Sequence, residues 1–137
     1  MAERSNTTRQ GRPQTIEEVA DVVGVYPVEA YVFVQEGLKF TVARLHGSGR
    51  PGKGKGHVSG PQLAEGLREF AHLQWGLMAS AVLRSWNVTT TYDFGRIVFS
   101  LIDGGILHKT DEDSIDDFRN VYDFGSIEDA YRIESKL

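Results

Sequence analysis

The stretch Thr91-Tyr92-Asp93-Phe94-Gly95-Arg96-Ile97-Val98-Phe99-Ser100-Leu101-Ile102-Asp103 decides the fold class. Phe94, Ile97, Val98, Leu101 and Ile102 stand at i, i+3, i+4, i+7 and i+8. That spacing gathers side chains on one face of an α-helix, whereas a strand would send alternate residues to opposite faces. Thr91 reads as the N-cap and Gly104-Gly105 as the stop. A helix with so wide an apolar stripe must be covered by other elements of the fold.

Working toward the N-terminus, more amphipathic segments supply that cover. Ser59 caps a helix with Pro61 in its first turn, and Leu63, Leu67, Phe70, Ala71 and Trp75 form its apolar face up to Gly76. A shorter helix, Leu77 to Trp86, follows. Upstream, Tyr31, Val34, Leu38, Val42 and Leu45 recur every three or four residues between Val28 and Gly47, which predicts a long helix. The β-branched and aromatic run Tyr31-Val32-Phe33-Val34 keeps a strand open as the alternative there. Thr15, followed by Glu17, Glu18 and Asp21, starts a first helix that Gly24 ends before Pro27.

Toward the C-terminus the periodicity fades. Ile106 to Thr110 reads as a short strand and Asp111 to Asp117 as an acidic turn, while Phe118 to Phe124 reads as either a return strand or a helix. Two outcomes stay open for residues 106–124. One is a winged-helix-like β-hairpin; the other is a helix, which the capping pair Ser114 and Asp117 favours. Ile127 to Ile133 reads as a short terminal helix. The fold class expected is mainly α: residues 1–14 a disordered tail, and residues 15–137 one compact multi-helix domain interrupted by a glycine-rich basic loop at 47–60.

The 137 residues suffice for one self-supporting core, and 40% hydrophobic with 25% charged residues is ordinary globular usage. There is no cysteine, which excludes disulfides, thiolate nucleophiles and cysteine-ligated metal sites and fits a reducing compartment. Met1 to Pro13 is polar, with Arg4, Arg9 and Arg12 and no apolar stretch behind them, unlike a secretory signal or membrane anchor. No membrane association and a cytoplasmic location are therefore expected. Charge is uneven: residues 1–60 hold 8 Lys/Arg against 6 Asp/Glu, and residues 61–137 hold 7 against 13. The acidic half repels phosphate backbones, so any nucleic-acid contact falls to the N-terminal half.

Several motifs invite chemistry. Gly47, Gly52 and Lys53 match a phosphate-binding loop, but Gly54 stands where a hydroxyl should hold magnesium, and the segment follows a helix where the motif needs a strand. Without the motif, Arg44, Arg50, Lys53, Lys55 and His57 still form a basic, glycine-permissive stretch, with His46 at its edge. It could mould to an anion or nucleic acid, weakly and salt-sensitively; a solvated loop is the plainer reading. Asp111, Glu112, Asp113, Asp116 and Asp117 could gather calcium, but Ile115, Asp116 and Tyr122 occupy the fifth, sixth and twelfth positions of the EF-hand register and break it. A solvated acidic segment open to a partner is the expectation, with no metal and no cofactor. Asp93-Phe94-Gly95 resembles the kinase metal-binding triplet without its companion loops. Tyr-Asp-Phe-Gly also occurs twice, at 92–95 and 122–125, each copy readable as an aromatic buried from a turn or helix start. A winged-helix use on DNA is opposed by the residues flanking the apolar stripe of 91–103, where Arg96 is outnumbered by Asp93 and Asp103.

The strings Val28–Leu38 (VEAYVFVQEGL), His57–Gly60 (HVSG), Tyr92–Phe99 (YDFGRIVF) and Asp117–Phe124 (DFRNVYDF) resemble a small family of uncharacterised hypothetical proteins from planctomycetes and verrucomicrobia, over about residues 28–124. The resemblance implies a bacterial cytoplasmic protein and carries over no catalytic or ligand residue. The function expected is a non-enzymatic protein-interaction or regulatory module with an unknown protein partner. A nucleic-acid-associated protein using residues 44–57 is the alternative. A small enzyme assembling Glu36, His72 or Asp93 from distant parts of the chain is a further one.

Overall fold

In the computed structural model, which describes residues 2–3, 14–47 and 57–124, Thr15 opens the first helix by a reciprocal cap. Its Oγ1 accepts from the Glu18 amide at 3.1 Å, and Glu18 Oε1 accepts from the Thr15 amide at 2.9 Å. Helix α1 spans Ile16–Val23 and ends at Gly24, whose φ of 72° is open to a residue without a Cβ. Pro27 then leads into α2, Val28–His46, so the strand reading of residues 31–34 gives way to the helix. Ser59 repeats the reciprocal cap with Gln62 and starts α3, Gly60–Trp75, with Pro61 in its first turn.

Two boundaries differ from the sequence reading. The segment after Gly76 is a 3-10 turn, Gly76–Met78, followed by α4, Ala79–Ser85, instead of one helix from Leu77 to Trp86. Thr90, not Thr91, is the cap of α5, Thr91–Asp103. Thr91 is buried inside the first turn, where its hydroxyl donates to the Phe118 carbonyl at 2.6 Å. A tertiary partner has claimed the hydroxyl that local pattern assigned to capping.

The β-hairpin over 106–124 is not formed. Leu107–His108 make a two-residue strand, β2, that pairs antiparallel with β1, Ala2–Glu3. Residues 115–118 wind into a 3-10 turn, capped by Ser114 and Asp117 as expected, and no return strand or helix occupies 119–124. The remainder of the N-terminal tail and the expected helix at 127–133 lie outside the described residues.

Helices α2 and α3 run antiparallel, as shown by the pairing of Phe33 with Phe70, Gly37 with Leu67, and Thr41 with Gly66. They approach most closely where a Cβ on Gly66 would lie 1.9 Å from Thr41 Oγ1, and one on Gly37 would lie 2.2 Å from Leu67 Cδ2. Only glycine permits that approach. Helix α5 completes the core: Phe94, Ile97, Val98 and Leu101 are fully buried, and Gly95 admits the Phe118 ring against the helix backbone. Tyr31, Leu38, Leu63, Leu67 and Leu83 join them with no exposed surface worth noting. Each of these aliphatic and phenylalanine side chains contributes about 1.5–3 kcal/mol by leaving water. The result is a compact, mainly α domain with α2 at its centre, packed against α1, α3 and α5. Among the described residues no helix is long and apolar enough to cross a membrane.

Candidate functional site

Toward the N-terminal end of α2, past its close contact with α3, aromatic rings gather around Phe33. Phe33 lies 5.4 Å from Phe70, 5.2 Å from Trp75 and 5.9 Å from Trp86, between ring centroids. Trp75 and Trp86 meet edge to face at 5.6 Å. Trp75 comes from the end of α3, and Trp86 from the residue that closes α4. Above these rings is an open groove of about 390 Å³, bordered by Val28, Glu29, Val32, Phe33 and Glu36 of α2, Phe70, Gln74 and Trp75 of α3, and Trp86. Phe33 is buried and Val32 is 38% exposed, so the groove has an apolar floor and a wet rim.

Its electrostatics are one-sided. The lining holds two carboxylates, Glu29 and Glu36, and no cation. Both are exposed, and neither has an ion-pair partner among the described residues. The π-faces of the rings add negative quadrupole potential over the same floor. Such a surface attracts a cation carried on an apolar body.

A larger cleft, about 550 Å³, lies beyond the α2/α3 crossing in the other direction, lined by Thr41, Arg44, Leu45, Pro61, Gln62, Glu65, Gly66 and Glu69. Its charges are internally matched. Arg44 pairs with Glu69 at 3.0 Å and lies over the Phe40 ring, and Glu65 pairs with Arg68 at 3.4 Å.

A third constellation is a buried polar network on α5. Asp93 accepts from the amides of Thr89 at 2.9 Å and Thr90 at 3.1 Å, and from the hydroxyl of Tyr26. Arg96 sits 3.8 Å from the same carboxylate and over the Tyr26 ring. Burial, with the hydrogen bond to Asp93, pushes the Tyr26 phenol well above its usual range. Tyr31 packs edge-on against Tyr26, and its fully buried hydroxyl has no hydrogen-bond partner among the described residues. Asp93 thereby ties the turn before α2 to the start of α5. The first Tyr-Asp-Phe-Gly copy is thus a structural cap, and its Phe94 meets Phe124 of the second copy at 5.7 Å. Tyr122 of that copy donates to the Ala64 carbonyl at 2.8 Å, and Gly125 lies outside the described residues.

The residues singled out from sequence are dispersed. Arg44 turns onto α3, His46 bonds the His57 carbonyl at 2.8 Å, and His57 lies 3.8 Å from Asp113. Arg50, Lys53 and Lys55 lie outside the described residues. In the acidic segment Asp111 and Glu112 are exposed, but Asp113 departs from a solvated turn. It is buried and accepts from the Thr110 amide at 2.9 Å, because a carboxylate folded back on its own turn satisfies an otherwise orphaned donor. Asp116 pairs with Arg119 at 2.8 Å, and Asp117 caps the 3-10 turn. No group of three or more His, Cys, Asp or Glu among the described residues is placed to hold a metal ion. Of Glu36, His72 and Asp93, Glu36 alone lines the aromatic groove.

Sequence reasoning missed the groove. Trp75 was legible as an apolar helix position, and Trp86 only as the end of a helix. The signal available was that both tryptophans of the chain flank the same short helix, with Glu29 and Glu36 one heptad apart upstream. Comparison of the chain with protein-family models, curated proteins and solved structures gives no match.

Proposed function

We propose that this chain is a protein-interaction module whose aromatic groove takes a basic, apolar segment of a partner protein. The observation that carries the reading is the pairing of an aromatic floor with two carboxylates that have no counter-charge among the described residues. Desolvating rings and Val32 supplies affinity, and the carboxylates supply selectivity and steering. A lysine ammonium or arginine guanidinium lying over Trp75 or Trp86 gains about 0.5–2 kcal/mol from the ring face, and each exposed ion pair adds about 0.2–1 kcal/mol. Tryptophan anchors are also among the residues in which binding energy concentrates in protein interfaces.

Because the chain's two tryptophans both border the groove, intrinsic fluorescence reports its occupancy without a label. The test is a titration of the full chain with a lysine–leucine peptide and its glutamate–leucine counterpart. The lysine peptide is expected to shift the emission at concentrations where the acidic one does not, and a Glu29→Lys, Glu36→Lys variant is expected to reverse that order. Equal responses, or no response to either peptide, would sink the reading.

A further inference from the structure

Glu29 and Glu36 are seven residues apart on α2, two helical turns, which puts both on one face about 10.5 Å apart along the axis. Val32 and Phe33 stand between them at the intermediate turn. The α2 side of the groove is therefore a stripe that reads carboxylate, apolar pair, carboxylate. The rings beside it touch one another, with centroids 5.2 Å apart for Phe33 and Trp75 and an edge-to-face contact between the two indoles. No slot is left between two ring faces for an inserted head group, so an occupant must lie across the floor.

Resting on the groove reading above, we propose that the occupant is an amphipathic α-helix of a partner protein with Lys or Arg at i and i+7 and apolar residues at i+3 and i+4. The spacing selects the form. An extended strand repeats its face about every 6.7 Å, so its same-face cations fall about 6.7 or 13 Å apart and miss one carboxylate or the other. A helix repeats its face after seven residues at about 10.5 Å, matching the stripe and setting its apolar pair over Val32 and Phe33. The groove is bordered lengthwise by the ridges of α2 and α3, the setting in which a third helix packs at about 8–10 Å between axes.

The inference is tested with end-blocked, alanine-based peptides of one composition, two lysines and two leucines, titrated against the full chain by tryptophan emission. Lysines seven residues apart are expected to bind about threefold tighter than lysines five apart, which lie on opposite faces of the helix and so forfeit one exposed ion pair. A Glu29→Gln, Glu36→Gln variant is expected to lose that difference while still binding the leucines weakly. A proline-rich peptide with the same cations, extended as polyproline II, is the competing form. Equal or tighter binding of that peptide, or indifference to lysine spacing, overturns the helical occupant while the basic-groove reading stands. Failure of every basic peptide to bind overturns both.

Discussion

Replacing Gly66 by alanine adds one methyl at the point where α2 and α3 touch. Its Cβ would lie 1.9 Å from Thr41 Oγ1 and 2.8 Å from both Thr41 Cβ and Cγ2. Rotating Thr41 offers no escape, because χ1 rotation brings the methyl or the hydroxyl back into the gap and breaks the 2.7 Å bond from Oγ1 to the Gly37 carbonyl. The helices must separate by several tenths of an ångström, and overpacking of this severity costs about 3 kcal/mol. Alanine returns about 1 kcal/mol through its helix propensity. The net loss is about 2 kcal/mol, a fall in Tm of roughly 8 °C for a chain of this size. Thr41→Ala alone loses one hydrogen bond and one buried methyl, about 1–2 kcal/mol. That change also removes two of the three atoms the new methyl meets. The double variant should therefore be more stable than the sum of the single losses predicts, by at least about 1 kcal/mol. Urea unfolding followed by far-UV ellipticity measures all four proteins. A Gly66→Ala protein as stable as the parent, or strictly additive losses, would refute the argument that this crossing is set by the absence of a side chain.

Two further expectations concern buried polar groups. Asp93→Ala strands the amides of Thr89 and Thr90 and the hydroxyl of Tyr26, so unfolding free energy should fall by about 3 kcal/mol. Asp93→Asn, which keeps an accepting oxygen, should lose about half of that; urea midpoints decide, and a loss under about 1 kcal/mol for the alanine variant contradicts the network. The phenols of Tyr26, Tyr31 and Tyr122 are all held above the ordinary value of 10.0, with burial the leading cause in each. Their folded pKa exceeds the unfolded one, so this stabilisation is complete below about pH 10. Above it, stability is lost by up to about 1.4 kcal/mol per pH unit per tyrosine. Phenolate absorbance of these three should rise together with the loss of ellipticity; their titration near pH 10 in a chain that stays folded would disprove it.

The groove and the Asp93 network sit on opposite sides of one structural problem, the placement of α2. Asp93 fixes the turn in front of the helix through Tyr26, and Gly37 and Gly66 fix how closely its middle meets α3. Beyond that contact Phe33 is buried beneath Phe70, Trp75 and Trp86, which are only partly buried and keep some surface in water.

Local pattern determined the helices of this chain. The stripe Phe94, Ile97, Val98, Leu101, the caps Thr15 and Ser59 and the stop at Gly24 all act within about one turn of the backbone, so residue order alone contains their physics. Tertiary structure decided whatever depends on residues far apart in sequence. Thr91 yielded the cap to Thr90 because Phe118 lay within reach of its hydroxyl, and Leu107–His108 paired with Ala2–Glu3 and not with the segment that follows it. Tyr26 reached Asp93 across 67 residues, and two tryptophans at the ends of different helices became one floor. Those contacts depend on crossing angles and interhelical distances, which follow from how side chains interdigitate across the core and leave no periodic trace along the chain.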